Sequence, residues 1–186
     1  MSLEDFEARY REQEDPWAYE SSAYERAKYA ATLAACGDGP FQEALELGAS
    51  IGVLSAQLAD RCERLTTIDG APTAVAAARR RLARREGVQV ILGTIPAAIP
   101  DGHYDLILAS EILYYLEPGP LVETVERLRR LSAPGARLVA VHWRPEGAER
   151  PASAGEVHGM LHEQPWLRAV GSASTDDYLL DIFTVS

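Results

Sequence analysis

The stretch that most constrains this chain is Glu43-Ala44-Leu45-Glu46-Leu47-Gly48-Ala49-Ser50-Ile51-Gly52. It reads as a short buried strand, a glycine turn and the start of a helix. Open α/β sheets build nucleotide pockets from such units, because the turn lets backbone approach a ligand that the helix N-terminus faces. The next apolar run, Leu65-Thr66-Thr67-Ile68-Asp69, ends in an acid 17 positions after Gly52. A carboxylate at that place can accept hydrogen bonds from the ribose hydroxyls of an adenosine ligand.

The spacing narrows the ligand. A dinucleotide fingerprint is G-x-G-x-x-G, with backbone room for a pyrophosphate. Here Gly48 and Gly52 frame the turn, and Ser50 stands where a middle glycine would be. Glu46 precedes Gly48 by two positions. A carboxylate there would repel a pyrophosphate, whereas a zwitterion with a sulfonium and no phosphate tolerates it. The pattern E-x-G-x-x-x-G resembles the first motif of class I S-adenosylmethionine-dependent methyltransferases. The plainer alternative is an ordinary glycine turn in an α/β protein.

With 186 residues, the chain has the length of one domain with a full core. A net charge of −10 argues against a nucleic-acid substrate, which needs a positive footprint. The one basic cluster, Arg79, Arg80, Arg81, Arg84 and Arg85, falls on a predicted helix and reads as a solvated face. Cys36 and Cys62 have no metal spacing and do not make a disulfide framework. No segment approaches the length of a membrane span, and the N-terminus is acidic rather than signal-like. The expectation is a cytoplasmic protein that binds neither nucleic acid nor membrane; its oligomeric state is left open.

Residues 1–22 are polar and aromatic, and Asp15-Pro16-Trp17 breaks any helix. A helix is expected from Ser22 until Cys36-Gly37-Asp38-Gly39-Pro40 stops it. Strands follow at about 43–48, 65–69, 88–92, 104–110 and 137–143, with helices at about 51–61, 72–85 and 118–131 between them. Residues 145–155 read as a loop, 156–163 as a short helix, and 167–174 and 178–185 as two last strands. That alternation predicts an α/β, Rossmann-like three-layer sandwich. Its seven-stranded, mostly parallel sheet ends in an antiparallel hairpin, with an N-terminal helical lid. Residues 1–186 are expected to form one domain, 1–35 as the lid and 41–186 as the sheet core.

A closer resemblance rests on several segments together: Asp15-Pro16-Trp17, Tyr24-x-x-x-Lys28-Tyr29, Glu46-Leu47-Gly48-x-Ser50-Ile51-Gly52, Ser110-Glu111-x-Leu113-Tyr114-Tyr115-Leu116 and His142-Trp143-Arg144. From about Asp15 to His158 the chain resembles the nodulation protein S family of S-adenosylmethionine-dependent N-methyltransferases. The resemblance implies S-adenosylmethionine as cofactor and S-adenosylhomocysteine as product. It also implies an amine acceptor on a small molecule or amino sugar, such as a deacetylated chitin oligosaccharide.

The resemblance also suggests roles. Gly48, Ala49 and Ser50 would carry the methionine part of the cofactor, and Asp69 the ribose. Gly70 and Ala71 would border the adenine, and Gly93, Thr94 and Ile95 would meet its edge and face. Lys28 or Tyr24 would reach the cofactor carboxylate from the lid, and Trp17 would help wall the sulfonium. Ser110 and Glu111 end the fourth strand at the edge where ligands bind in such sheets. Glu111 would take the cofactor ammonium or the acceptor amine; otherwise it is a helix-start acid. Tyr114, Tyr115, Trp143 and Arg144 are candidates for the acceptor site. His142 and His158 join Glu111 as candidates to receive the amine proton. Two other classes compete, a nicotinamide-binding oxidoreductase and a non-catalytic cofactor-binding module. The missing G-x-G counts against the first. Tyr24-x-x-x-Lys28, which has an oxidoreductase spacing, lies ahead of the sheet.

Overall fold

A computed structural model describes residues 1–144 and 150–186. Alternation along the strands sorts the core into two layers. β1 (Ala44–Leu47) sends Leu45 and Leu47 to one face and Ala44 to the other. β4 (Tyr104–Ser110) does the same, with Ile107 and Ala109 opposite Leu106 and Leu108. A strand covered on both faces reads as a near-continuous apolar run, as Leu106-Ile107-Leu108-Ala109 does here. α5 (Pro118–Leu131) packs Leu121, Val125 and Leu128 on the first layer, joined by Val157 and Leu161 of α6 (Ala154–His162). α2 (Ala23–Cys36) packs Tyr29, Leu33 and Cys36 on the second, beside Leu54 and Leu58 of α3 (Val53–Leu58).

β2 (Leu65–Asp69), β3 (Val88–Leu92), β5 (Ser132–Trp143), β6 (Leu167–Ser172) and β7 (Tyr178–Val185) complete the sheet. Its order is β3-β2-β1-β4-β5-β7-β6. The first five strands are parallel; β7 runs antiparallel to both β5 and β6. The order reverses between β1 and β4, so the carboxyl ends of these two strands open a crevice. β5 starts at Ser132 rather than Arg137, because Ser132 pairs back to Tyr104 before the ladder resumes at Arg137. Pro134-Gly135 is therefore an irregularity inside a strand, with Gly135 at φ +77°. α4 (Pro72–Leu82) ends short of Arg85. Of the expected loop at 145–155, residues 145–149 lie outside the described residues.

The N-terminal segment differs most from expectation. α1 (Leu3–Glu12) is a helix closed by a capping box, in which Ser2 Oγ accepts from the Asp5 N–H and Asp5 accepts from the Ser2 N–H. It folds back over α4. The Glu7 carboxylate accepts from the Thr73 N–H at 3.0 Å and the Thr73 hydroxyl at 2.7 Å. It thus satisfies a donor at the start of α4, whose own cap residue, Ala71, has no side chain for the task. The basic cluster is also tied to the N-terminal segment. Arg80 pairs with Glu14 at 2.7 Å, and Arg81 pairs with Glu20 and donates to the Ile51 carbonyl at 2.9 Å. All five arginines are nevertheless exposed, as expected of a solvated face.

Candidate active site

Gly48 follows β1 at φ +86°, and a Cβ there would stand 2.6 Å from the Ser110 carbonyl oxygen. Only glycine lets the ends of β1 and β4 come so close. Four of the turn's amides are engaged within the protein. Gly48 and Ala49 N–H donate to the Ile68 carbonyl, Ser50 N–H to Asp69 Oδ2, and Gly52 N–H to the Ala49 carbonyl. A phosphate nest needs such amides facing the ligand. Here they do not, so the turn suits a cofactor without phosphate and disfavours a nicotinamide dinucleotide.

Asp69 holds this turn to the start of α4. Its Oδ1 accepts from the Ala71 N–H at 2.9 Å and its Oδ2 from the Ser50 N–H at 2.8 Å. Each carboxylate oxygen keeps a second lone pair, so two hydroxyls can still dock. Burial raises the Asp69 carboxyl above the usual range, opposed by the backbone donors. Beneath the turn, Glu46 is fully buried, and burial drives its carboxyl up to about 7 against hydroxyl bonds from Ser55 and Thr67. Both hydroxyls reach Oε2, at 2.5 and 2.6 Å, and Oε1 has no partner among the described residues.

The crevice is a cavity of about 620 Å³, and Gly48, Ser50, Asp69 and Gly70 line one end. Gly93, Thr94 and Ile95 line the same end; Ser110, Glu111 and Tyr115 line the other wall. A recess of about 30 Å³ leads off it between Ala49, Lys28 and Glu25. Glu111 stands where the two meet, at φ +55°, which is unusual for a glutamate. Its Oε1 takes Lys28 Nζ at 2.9 Å; its Oε2 accepts from the Trp143 N–H at 2.9 Å and from the Tyr114 hydroxyl. Burial pulls the Lys28 ammonium down, but the Glu111 and Glu25 carboxylates outweigh it and leave its pKa raised.

Other candidates lie elsewhere. Ala71 is buried at the start of α4, and Trp17 backs the lid aromatics Phe6, Tyr10 and Tyr19. Tyr24 sits 5.3 Å from Lys28 Nζ, outside the cavity lining. Tyr114 is a buried support of Glu111, and Trp143 meets that carboxylate through its backbone rather than its ring. Arg144 donates to the Thr175 carbonyl, away from the crevice. His142 and His158 are corrected: both are buried and bonded to each other, and neither reaches the cavity wall. Glu111 precedes the short 3₁₀ turn Leu113–Tyr115, but its side chain caps neither that turn nor α5, which begins at Pro118. Sequence reasoning missed Phe6, Tyr10, Tyr19 and Arg150 as cavity walls. Phe6 meets the Tyr115 ring edge-on at 4.8 Å, bringing α1 across the crevice, and Tyr10 bonds Ser50 Oγ at 2.6 Å.

The structure of N-methyltransferase NodS from Bradyrhizobium japonicum WM9 in complex with S-adenosyl-L-homocysteine superposes with a TM-score of 0.89 at 26% identity, over 100% of this chain and 99% of that one. A putative methyltransferase from Pseudomonas syringae matches at 35% identity and a TM-score of 0.77, over 88% of this chain and 99% of that one. With this fold and this phosphate-free glycine turn, the chain is an S-adenosylmethionine-dependent methyltransferase. The family model for Nodulation protein S (NodS) matches residues 3–146. Nodulation protein S of Rhizobium tropici is 32% identical over 181 residues, 90% of this chain and 74% of that one. The Sinorhizobium fredii (strain NBRC 101917 / NGR234) protein is 31% identical over 93% of this chain and 84% of that one. The chain belongs to the nodulation protein S family.

Proposed function

We propose that the chain methylates an amine on a small molecule or amino sugar, with a deacetylated chitin oligosaccharide as the leading acceptor. The single observation that carries this is Glu111, a carboxylate on the cavity wall held by three protein donors. A carboxylate has about four acceptor positions. Three are taken, so one lone pair is left to point an acceptor N–H into the cavity. Bound S-adenosylmethionine supplies an electrophilic methyl group.

The residues do the rest by positioning. Asp69 takes the ribose hydroxyls; Gly48, Ala49 and Ser50 border the methionine part; Gly70, Gly93, Thr94 and Ile95 enclose the adenine. Lys28 offers its charge to the cofactor carboxylate from the recess. Glu111 holds the acceptor nitrogen so that its lone pair is in line, an arrangement that supplies much of the rate in a displacement. An acceptor ammonium must first release a proton. That proton goes to water, because a carboxylate is far more acidic than an amine. Tyr115 walls the acceptor side. No helix among the described residues is long and apolar enough to cross a membrane. The two free cysteines suit a reducing, cytoplasmic setting, and the negative charge suits an amine rather than a nucleic acid.

The test combines tritiated S-adenosylmethionine with an oligomer of free glucosamine. Glu111→Gln keeps the shape and should lower turnover by about 10²–10⁴-fold, with S-adenosylhomocysteine affinity nearly unchanged. Collapse of that affinity with turnover preserved at saturation would make Glu111 a cofactor ligand instead.

A further inference from the structure

A line of polar side chains crosses the core behind the cavity, from the sheet's hairpin to the tip of β4. The Leu113 N–H donates to His142 Nε2 at 3.2 Å; His142 Nδ1 and His158 Nε2 are 3.0 Å apart. His158 Nδ1 and Asp181 Oδ2 are 2.8 Å apart, and His162 reaches the same oxygen at 3.0 Å. One proton arrangement satisfies the line. Since Leu113 offers a hydrogen, His142 Nε2 must be bare, and a neutral His142 carries its proton on Nδ1. That proton points at His158 Nε2, which is then also bare. His158 in turn carries its proton on Nδ1 and donates it to Asp181. The chain therefore has a direction, from a backbone amide to a carboxylate.

We propose that Asp181, His158 and His142 form a positioning relay that fixes the Leu113–Tyr115 turn, and through it Tyr114 and Glu111, in the geometry that receives the acceptor. The proposal rests on the amine-transfer reading above. Burying three polar side chains is costly unless every one is satisfied, and a satisfied network specifies one arrangement. What needs specifying here is Glu111. Its left-handed backbone persists only where the surroundings over-determine it. His142 touches the turn twice, through the Leu113 amide and through the Tyr114 ring, whose centroid lies 4.9 Å from its own. The Tyr114 hydroxyl then holds Glu111. The neighbouring Val141 carbonyl takes the Glu111 N–H at 2.9 Å. Burial together with the facing His158, Arg150 and Lys28 holds the His142 pKa well below its ordinary value. Hydrogen bonds from His158 and His162 outweigh burial and hold Asp181 down at about 2. His142 is therefore held neutral, with the single ring proton that this direction requires.

The test uses the full chain and three variants. His142→Leu removes the acceptor for Leu113, His142→Gln can supply one again, and Val157→Ala opens a purely apolar defect on α6. With tritiated S-adenosylmethionine and a glucosamine tetramer, His142→Leu should lower kcat by about 10- to 100-fold, the scale of a misplaced reacting group. S-adenosylhomocysteine affinity should stay near wild type, His142→Gln should recover most of the rate, and Val157→Ala should keep it. A His142→Gln no better than His142→Leu overturns the proposal, as does an equal loss of kcat in Val157→Ala at a matched melting temperature. Absence of transfer to the tetramer by the wild type counts against the amine reading alone. The relay is then decided, as it is if His142→Leu fails to fold, by ¹⁵N-histidine NMR of the wild type at pH 7. Protons on Nδ1 of both His142 and His158 uphold it; a proton on His142 Nε2 overturns it.

Discussion

Glu46→Gln tests whether the floor of the glycine turn is built around a neutral carboxyl. Glu46 has a folded pKa of about 7, against an ordinary 4.5. Between those values the native chain holds a proton that the unfolded chain has lost. Stability from this group is thus fully present below about pH 4.5 and is lost as pH rises through about 7. A gap of about 2.5 units corresponds to on the order of 3 kcal/mol, and full burial leaves no solvent screening to discount it. Glutamine keeps the arrangement of the neutral acid, since its oxygen can accept from Ser55 and Thr67 while its NH₂ takes the place of the unpartnered Oε1. The variant should therefore be close to wild type at pH 4.5 and more stable at pH 8. For a chain of this size the gain at pH 8 is roughly 5–10 °C in melting temperature. Thermal unfolding of both proteins at the two pH values, without cofactor, reads the difference. Raised carboxyls such as Asp69 and Glu25 titrate in both proteins and cancel. A melting-temperature gap that does not change with pH would refute the reasoning.

Asp69→Ala should weaken S-adenosylhomocysteine binding by about 1.5–3 kcal/mol, as for hydrogen bonds to a charged group; unchanged calorimetric affinity would remove Asp69 from the cofactor site. Lys28→Met leaves Glu25 and Glu111 without their shared cation and should destabilise the chain by about 3 kcal/mol, the low end for a broken buried pair. Denaturant unfolding checks this, and an unchanged midpoint would show that the ion pairs contribute nothing. Cofactor should slow amide exchange around Trp17 and Tyr24, because a closing lid orders its backbone; identical exchange with and without ligand would end the lid reading.

The strands were legible because their residues alternate or run largely apolar, and tertiary contacts moved only their ends. The glycine turn and Asp69 were legible because both belong to one local strand–turn–helix unit. α1 was missed although Ser2 and Asp5 hold a capping-box spacing and Phe6 and Tyr10 share a helical face. The lid aromatics were visible as residues but not as cavity walls. Where they lie depends on Glu7 reaching Thr73 and Arg80 reaching Glu14, each across 66 positions of sequence. The histidines failed differently. Their type suggested proton transfer, whereas their burial, fixed by α6 packing on β5 and β7, leaves them no access to a substrate.

Glu111 shows why a motif alone does not yield a mechanism. Ser110-Glu111-x-Leu113-Tyr114-Tyr115 names a carboxylate at a strand tip. The fold brings it donors from three directions: Lys28 from α2, Tyr114 from the next turn and the Trp143 amide from β5. A free glutamate would accept several hydrogens in any orientation and would rotate to suit them. With three positions filled, Glu111 has one contact to give and one direction in which to give it. That favours a group with a hydrogen to donate and a lone pair left over, which describes a neutral amine. The Lys28 ion pair also ties the Glu111 carboxylate to α2, the second helix of the N-terminal segment. If the N-terminal segment acts as a lid, withdrawing α2 would remove a restraint from Glu111 as the cavity opens, and the geometry for transfer would be complete only with the lid shut.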